Sequence, residues 1–314
     1  FLLASPWSPP GWMKTNGEMN GGGTLLPEFR STWAAYVSRY LESMSARGVP
    51  IQALSVQNEP AARQTWDSCE YSAAEERDFV KHHLGPTLRE NGHQDVKLLI
   101  WDHNRDILFE RVAEVLSDRD AARYVWGVAH HWYQSEEFEN LTRVHETFPD
   151  THLIFTEGCQ EGGVQLGEWF TGERYGRNII GDLRNWVEGW IDWNIVLDET
   201  GGPNHVGNYC DAPIIADTRS GELHYNSSYW YIGHFSRFIP PGSTRIGSTT
   251  TGAVSGLSHV AFETPDGSTV TVAMNESDTD LTVALVAAPG ESAVGVELPA
   301  HGIVTVVLDA VSGV

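Results

Sequence analysis

The chain has 314 residues, enough to bury a large core as one barrel, or as a barrel with a small appendage. Forty-two acidic side chains against 20 basic ones give a formal net charge of −22 and no basic groove, which argues against nucleic acid as a partner. Cys69, Cys159 and Cys210 fall in no metal-binding spacing, so neither a disulfide framework nor a zinc site is indicated, and no apolar run reaches about eighteen residues, which excludes a membrane span.

Residues 1–5 form an apolar strand that ends in Pro6-Trp7, so the chain opens on an element that belongs in a core, and further sequence upstream is expected. A Gly-rich loop over 16–23 leads to an amphipathic helix over 30–47. Trp33, Tyr36, Val37, Tyr40, Leu41 and Met44 fall on one of its faces. A strand over 51–56, a helix over 73–91 closed by Gly92, a strand over 96–101 and a helix over about 107–116 follow. The same rhythm continues with a strand at 124–131, a helix at 138–148, a strand at 152–156, a helix at 177–190, a strand at 191–197 and a helix at 229–238. Alternating strands and helices predict a parallel sheet. Six strands are countable, where a closed barrel of this kind needs eight.

From Pro240 onward Gly, Ser, Thr and Val dominate and tryptophan vanishes. Alternating segments at 260–263, 269–274, 281–286, 294–298 and 303–308, with turn signals at Asp266-Gly267 and Pro289-Gly290, predict an antiparallel β-sandwich. The expected division is therefore a partial barrel over 1–239 and a sandwich over 240–314.

Two strands end abruptly in a glutamate: Ser55-Val56-Gln57-Asn58-Glu59-Pro60 and Leu153-Ile154-Phe155-Thr156-Glu157-Gly158. A carboxylate at the end of a buried strand is costly unless it has a task. Two of them at one barrel mouth suit a double displacement at a glycosidic bond, one carboxyl protonating the leaving oxygen while the other attacks the sugar. Strand alternation sends His131 and Tyr133 of His130-His131-Trp132-Tyr133 to the same side, where they could orient such a carboxylate and tune it. Adjacent His130 and His131 face opposite ways, and Asp102, His103 and Asp106 have no further ligand cluster near them in sequence, so no metal is expected. Most of the 12 tryptophans belong to a core, and Trp101 fits one equally well. Trp7 and Trp193 fall at strand ends, where an aromatic platform holds a pyranose ring. Neither Gly21-Gly22-Gly23 nor the loop over 201–208 carries a phosphate-loop lysine, so neither reads as a nucleotide site.

Several of these stretches carry a resemblance to a known family. Leu3-Ala4-Ser5-Pro6-Trp7-Ser8-Pro9-Pro10-Gly11-Trp12-Met13-Lys14-Thr15-Asn16-Gly17, Asn58-Glu59-Pro60, His131-Trp132-Tyr133, Thr156-Glu157-Gly158-Cys159, Gly189-Trp190-Ile191-Asp192-Trp193-Asn194, Gly201-Gly202-Pro203-Asn204 and Gly233-His234-Phe235-Ser236-Arg237-Phe238-Ile239-Pro240 occur in family order. Together they make the chain similar to glycoside hydrolase family 30, the glucosylceramidase-like retaining enzymes. The resemblance implies a TIM-type (β/α)8 barrel with a flanking β-sandwich. It implies Glu59 as general acid/base, Glu157 as nucleophile, and Trp7, Asn58, His131, Tyr133, Trp193 and Asn208 around the sugar, with no metal or organic cofactor. Family members carry two more barrel strands and a sandwich segment ahead of the equivalent of Phe1. The first of those strands brings an aspartate for the sugar hydroxyls, and no residue of this chain takes its place. A fragment of a longer protein is therefore expected. The implied substrate is a β-glucoside, of the glucosylceramide or simple glucoside type. A β-1,6-glucan or β-xyloside enzyme of the same family is the alternative, and a truncated barrel that only binds carbohydrate is the alternative of another class. The motifs distinguish neither a secreted from a cytoplasmic protein nor one oligomeric state from another.

Overall fold

The computed structural model describes residues 1–252, 254–287 and 292–310, and the turn expected at Pro289-Gly290 lies outside them. The chain clusters into two compact units. The first comprises Phe1–Gly158 and Asn185–Asp192, the second Cys159–Arg184 and the residues from Trp193 onward.

The first unit is built on a six-stranded sheet of β1 (Leu3–Ala4), β2 (Ala53–Ser55), β3 (Lys97–Asn104), β4 (Gly127–His131), β5 (His152–Glu157) and β6 (Gly189–Trp190). Every strand pairs in parallel with its neighbours in chain order. Helices α1 (Arg30–Ala46), α2 (Ala73–Phe79), α3 (Gly85–Glu90), α4 (Leu108–Leu116), α5 (Arg119–Ala122) and α6 (Glu139–Thr147) occupy the connections. A parallel sheet is covered on both faces, which is why its strands read as unbroken apolar runs. Leu98, Leu99, Ile100 and Trp101 of β3 are all buried, and Ala53, Leu99 and Ala129 form a core cluster across three strands.

The single helix expected over 73–91 is interrupted. Its start is a capping box, with Ser72 Oγ accepting from the Glu75 N–H and the Glu75 carboxylate accepting from the Ser72 N–H. Between α2 and α3, Val80–Leu84 is a π turn in which the Gly85 N–H reaches Val80 O. Pro86 accounts for the break, because it has no N–H to give and its ring crowds the carbonyl four residues back.

The strand expected over 191–197 does not form as one element: the sheet's sixth strand is Gly189–Trp190, ahead of it, and only Val196 and Leu197 fall in a later strand. Ile191 still donates its N–H to Phe155 O, after which the chain leaves the sheet, and the next strand begins at Val196. The helix expected over 177–190 is displaced as well: it spans Phe170–Arg184, and Trp186 just beyond it has φ +75°.

That helix, α7, belongs to the second unit with α8 (Ser227–Ser236). The two pack closely, because a Cβ at Gly172 or Gly176 would run into the Tyr231 ring. The Tyr231 hydroxyl donates to His301 O, as does Trp169 Nε1, which ties both helices to the following sheets. A small sheet of β7 (Val196–Asp198), β8 (Ile214–Ala216) and β9 (Leu223–Tyr225) precedes the sandwich. One layer of the sandwich is β10 (Thr244–Ile246), β11 (Leu257–Glu263), β12 (Thr269–Asn275) and β15 (Ile303–Leu308), all antiparallel. The other is the hairpin β13 (Leu281–Leu285) and β14 (Val294–Leu298). Ala273, Val296 and Leu298 are buried between them, with Leu257, Leu281, Val283, Leu285, Val304 and Val306 packed around.

Phe155 is fully buried in β5 and stacks on Trp190 with ring centroids 4.2 Å apart. Phe155→Ala is expected to lower unfolding stability by about 3–5 kcal/mol, read by chemical denaturation.

Candidate active site

The carboxyl ends of the strands in the first unit gather a cluster of acidic and imidazole side chains. Its geometry begins in β3. Trp101 (φ +74°) and Asp102 (φ +51°) are consecutive left-handed residues, and the pairing of β3 with β4 shifts register there. Neither residue is glycine, so the surroundings must hold this bulge. Glu76 of α2, 1% exposed, accepts the Trp101 N–H at 2.8 Å, and Arg111 lies 4.6 Å from the Trp101 ring centroid and 3.7 Å from Glu76.

The bulge turns Asp102 into the sheet's end. Its carboxylate is fully buried and accepts from Thr156 Oγ1 at 2.6 Å, Ser5 Oγ at 2.8 Å and His131 Nε2 at 3.1 Å. Its backbone oxygen accepts the Glu59 N–H at 2.9 Å, which fixes Glu59 in its own left-handed conformation, φ +47°. His131 closes β4 and is fully buried; its Nδ1 lies 3.3 Å from Glu59 Oε1. A second register shift pairs His131 with Glu157 at the end of β5. The Tyr133 hydroxyl donates to Glu157 Oε1 at 3.0 Å, and its N–H is anchored on Asn104 Oδ1 at 2.7 Å. Gly158 follows because a Cβ there would meet Phe155 at 2.6 Å and Trp132 at 2.9 Å. One oxygen of Glu59, one ring nitrogen of His131 and one oxygen of Glu157 all lie within 4.8 Å of each other.

The charges in this cluster are strongly coupled. Burial pushes the Glu157 carboxyl up, as do the negative charges of Glu59 and Asp102; against the pull of His131 and Tyr133 it stands at about 7. Burial also works against a charged Glu59, but the hydrogen bond and charge of His131 win and hold it below the ordinary glutamate value. Asp102 behaves likewise: burial opposes its charge, and His131, Thr156 and Ser55 more than compensate. Burial disfavours the His131 cation, yet Glu157, Asp102 and Glu59 together raise the ring to about 10. His103, 3.9 Å from Glu59, is driven by burial to about 4 and is neutral. His130 points away, edge-on against Phe155, and burial keeps it neutral too.

Glu59, His131 and Glu157 are the one grouping among the described residues compact enough to hold an ion. The grouping is part of the carboxyl cluster itself, with His131 Nδ1 against Glu59 and Nε2 against Asp102.

Of the residues singled out in the sequence, Glu59, Glu157, His131 and Tyr133 meet in this cluster. Asn58 is buried beside Glu59, donates its N–H to Pro6 O, and has a side-chain oxygen without a hydrogen-bond partner among the described residues. Trp7 is half-buried, and its carbonyl accepts from Gln57 Nε2. Trp193 and Asn208 belong to the second unit. Trp193 is 41% exposed, and Asn208 lies in an exposed loop with its N–H on Asn204 Oδ1. Sequence reasoning missed Asp102, Thr156 and Ser5 as members of the cluster. Asp102 carried the same signal as the glutamates, an acidic residue closing an apolar strand, but was weighed only as a metal ligand.

A parallel strand–helix sheet with paired carboxyls at its strand ends, accompanied by a β-sandwich, defines a protein of the barrel-plus-sandwich class. The chain belongs to glycosyl hydrolase family 30: residues 1–239 match the family's TIM-barrel domain and residues 242–306 its beta sandwich domain. It is 39% identical to the lysosomal acid glucosylceramidase of Mus musculus, over 89% of this chain and 57% of the mouse protein. It is 33% identical to an endo-1,6-beta-D-glucanase of Neurospora crassa, over 92% of this chain and 62% of that protein. Among solved structures, SrfJ from Salmonella typhimurium superposes with a TM-score of 0.93 at 37% identity, covering 98% of this chain and 68% of SrfJ. The chain thus spans less than two thirds of the curated relatives' length.

Tyr133→Phe removes the hydroxyl that stabilises ionised Glu157. The Glu157 carboxyl is expected to titrate above about 7 in the variant, read from the pH dependence of its side-chain 13C shift.

Proposed function

We propose that this chain carries the catalytic centre of a retaining β-glycosidase acting on β-glucosidic bonds. The observation that carries the reading is the approach of Glu59 and Glu157 oxygens to within 4.8 Å. Retaining enzymes hold their carboxyls about 5–5.5 Å apart, whereas inverting ones need roughly 6.5–9.5 Å to admit a water.

Glu157 attacks the anomeric carbon and forms a glycosyl ester, while Glu59 gives its proton to the departing oxygen. Glu59, now a base, takes a proton from the water that opens the ester, and the sugar leaves with its configuration retained. The assignment of the acid to Glu59 follows the resemblance at Asn58-Glu59-Pro60. Two carboxyls this close share one proton. Before substrate binds it rests on Glu157, the carboxyl with the raised value. Attack requires it on Glu59, and a bound glycoside supplies both reasons for the transfer: an acceptor oxygen at Glu59 and an electrophilic carbon at Glu157. Esterification then removes the Glu157 charge, which lowers the proton affinity of Glu59 and leaves it ionised for the second step. The orphaned oxygen of Asn58 is available to a sugar hydroxyl, as Trp7, Trp193 and Asn208 are in the family reading. Neither step requires a cofactor.

The 39% identity to a glucosylceramidase supports glucose at the reacting position. The 33% identity to an endo-1,6-beta-D-glucanase supports β-1,6-glucan as the second reading. Release of p-nitrophenol from its β-glucoside, beside release of reducing sugar from a β-1,6-glucan, separates the two. In either assay Glu157→Gln is expected to lose at least roughly 10³-fold in turnover. A protein that only binds carbohydrate shows no turnover in the parent and unchanged binding in the variant.

The pH profile follows from the shared proton. kcat/KM is expected to fall as pH rises through about 7, where the pair loses its last proton and no acid remains. It falls again on acidification below the ordinary glutamate value, where the second carboxyl is protonated and no nucleophile remains. A profile flat from pH 5 to 9 contradicts the assignment.

A further inference from the structure

We propose that Asp102 is a positioning residue for the acid/base: by accepting the Nε2 proton of His131 it locks the ring so that Nδ1–H points at Glu59. The proposal rests on the reading of Glu59 given above and extends it to the residue on the far side of His131.

The geometry is specific. His131 lies with Nε2 3.1 Å from Asp102 and Nδ1 3.3 Å from Glu59, and it has no exposure to water. A neutral imidazole has one N–H and cannot donate to both carboxylates; an imidazolium can. Asp102 cannot turn away to accept from another group, because Thr156 Oγ1 and Ser5 Oγ already donate to its two oxygens. Its backbone is fixed as well, by the Glu76 bond to Trp101 on one side and the Glu59 N–H on the other. The ring faces Glu59 beyond β2, Asp102 and His103 of β3, Tyr133 beyond β4 and Glu157 of β5; behind the same strand stand His130 and Arg105. His103 and His130 are held neutral by burial, so the charges around the ring are those of the three carboxyls and Arg105. Removing the Asp102 charge leaves the cation facing a carboxyl pair that carries only one charge while it holds its proton. The ring then has less reason to keep both of its protons, and Glu59 loses its fixed donor.

The test is 15N NMR of the histidine rings, with His131 assigned by the loss of its signals in His131→Gln. In the parent both ring nitrogens are expected to carry protons from pH 6 to 8. A parent His131 with an unprotonated Nε2 in that range overturns the proposal, whatever any variant does. In Asp102→Asn, which keeps the side chain's shape, the His131 titration is expected to fall toward the ordinary histidine value of about 6.5. kcat/KM is expected to drop by roughly 10²-fold or more, with a new ionisation in its pH profile. A merely structural Asp102 predicts a lower melting temperature with parent-like ring shifts and a parent-like pH profile, which also overturns the proposal. The NMR readout does not need turnover. A parent that hydrolyses no glycoside but shows the doubly protonated ring counts against the glycosidase reading alone.

Discussion

One buried carboxylate ties together the ends of the strands that carry this site. Asp102 takes a hydrogen bond from Ser5 beyond β1, from His131 of β4 and from Thr156 of β5, and its backbone oxygen holds Glu59 beyond β2. A desolvated carboxylate in a parallel sheet is tolerable only when its lone pairs are filled and an opposite charge stands beside it. Here the filling groups come from three other strand ends, and a fourth is held by the backbone oxygen of the same residue. The demand of one acid for partners thus becomes a constraint on where the two glutamates sit.

The same logic governs the proton inventory. Three carboxyls and one imidazole share a largely buried space, and whichever state they adopt must keep the local charge small. A cationic His131 between Asp102 and Glu59 offsets one of those charges and donates to both carboxylates. The third carboxyl, Glu157, has among the described residues only the Tyr133 hydroxyl as a direct donor and keeps its proton to about 7. The asymmetry between two chemically identical side chains therefore arises from their neighbours.

How much of this was legible in the sequence depended on whether a local signal existed. The barrel rhythm was, because parallel strands buried on both faces leave runs such as Leu98-Leu99-Ile100-Trp101. The strand-end glutamates were, because a charge closing such a run stands out. The bulge at Trp101 and Asp102 was not: left-handed residues are usually announced by glycine, and here the conformation is imposed by Glu76 and Glu59 through distant chain. Helix α7 was misplaced for the opposite reason. Gly172 and Gly176 argue against a helix locally, but they are there to admit the Tyr231 ring, a tertiary requirement that overrides propensity. The sixth strand, Gly189–Trp190, lies ahead of the expected 191–197, because the apolar positions that follow it imitate a strand.

The π turn between α2 and α3 gives the outer helix an unexpected say in the chemistry. It adds one residue to a turn, and one residue on a helix is about 100° of rotation. Glu76, ahead of the insertion, faces the sheet and holds Trp101; Leu88, behind it, is also buried. A regular helix through the same residues would bring one of these inward only by swinging the other toward solvent. The extra residue works as a phase correction that allows a proline-bearing helix to seat both ends, and with them the buried acid that keeps the β3 bulge in shape.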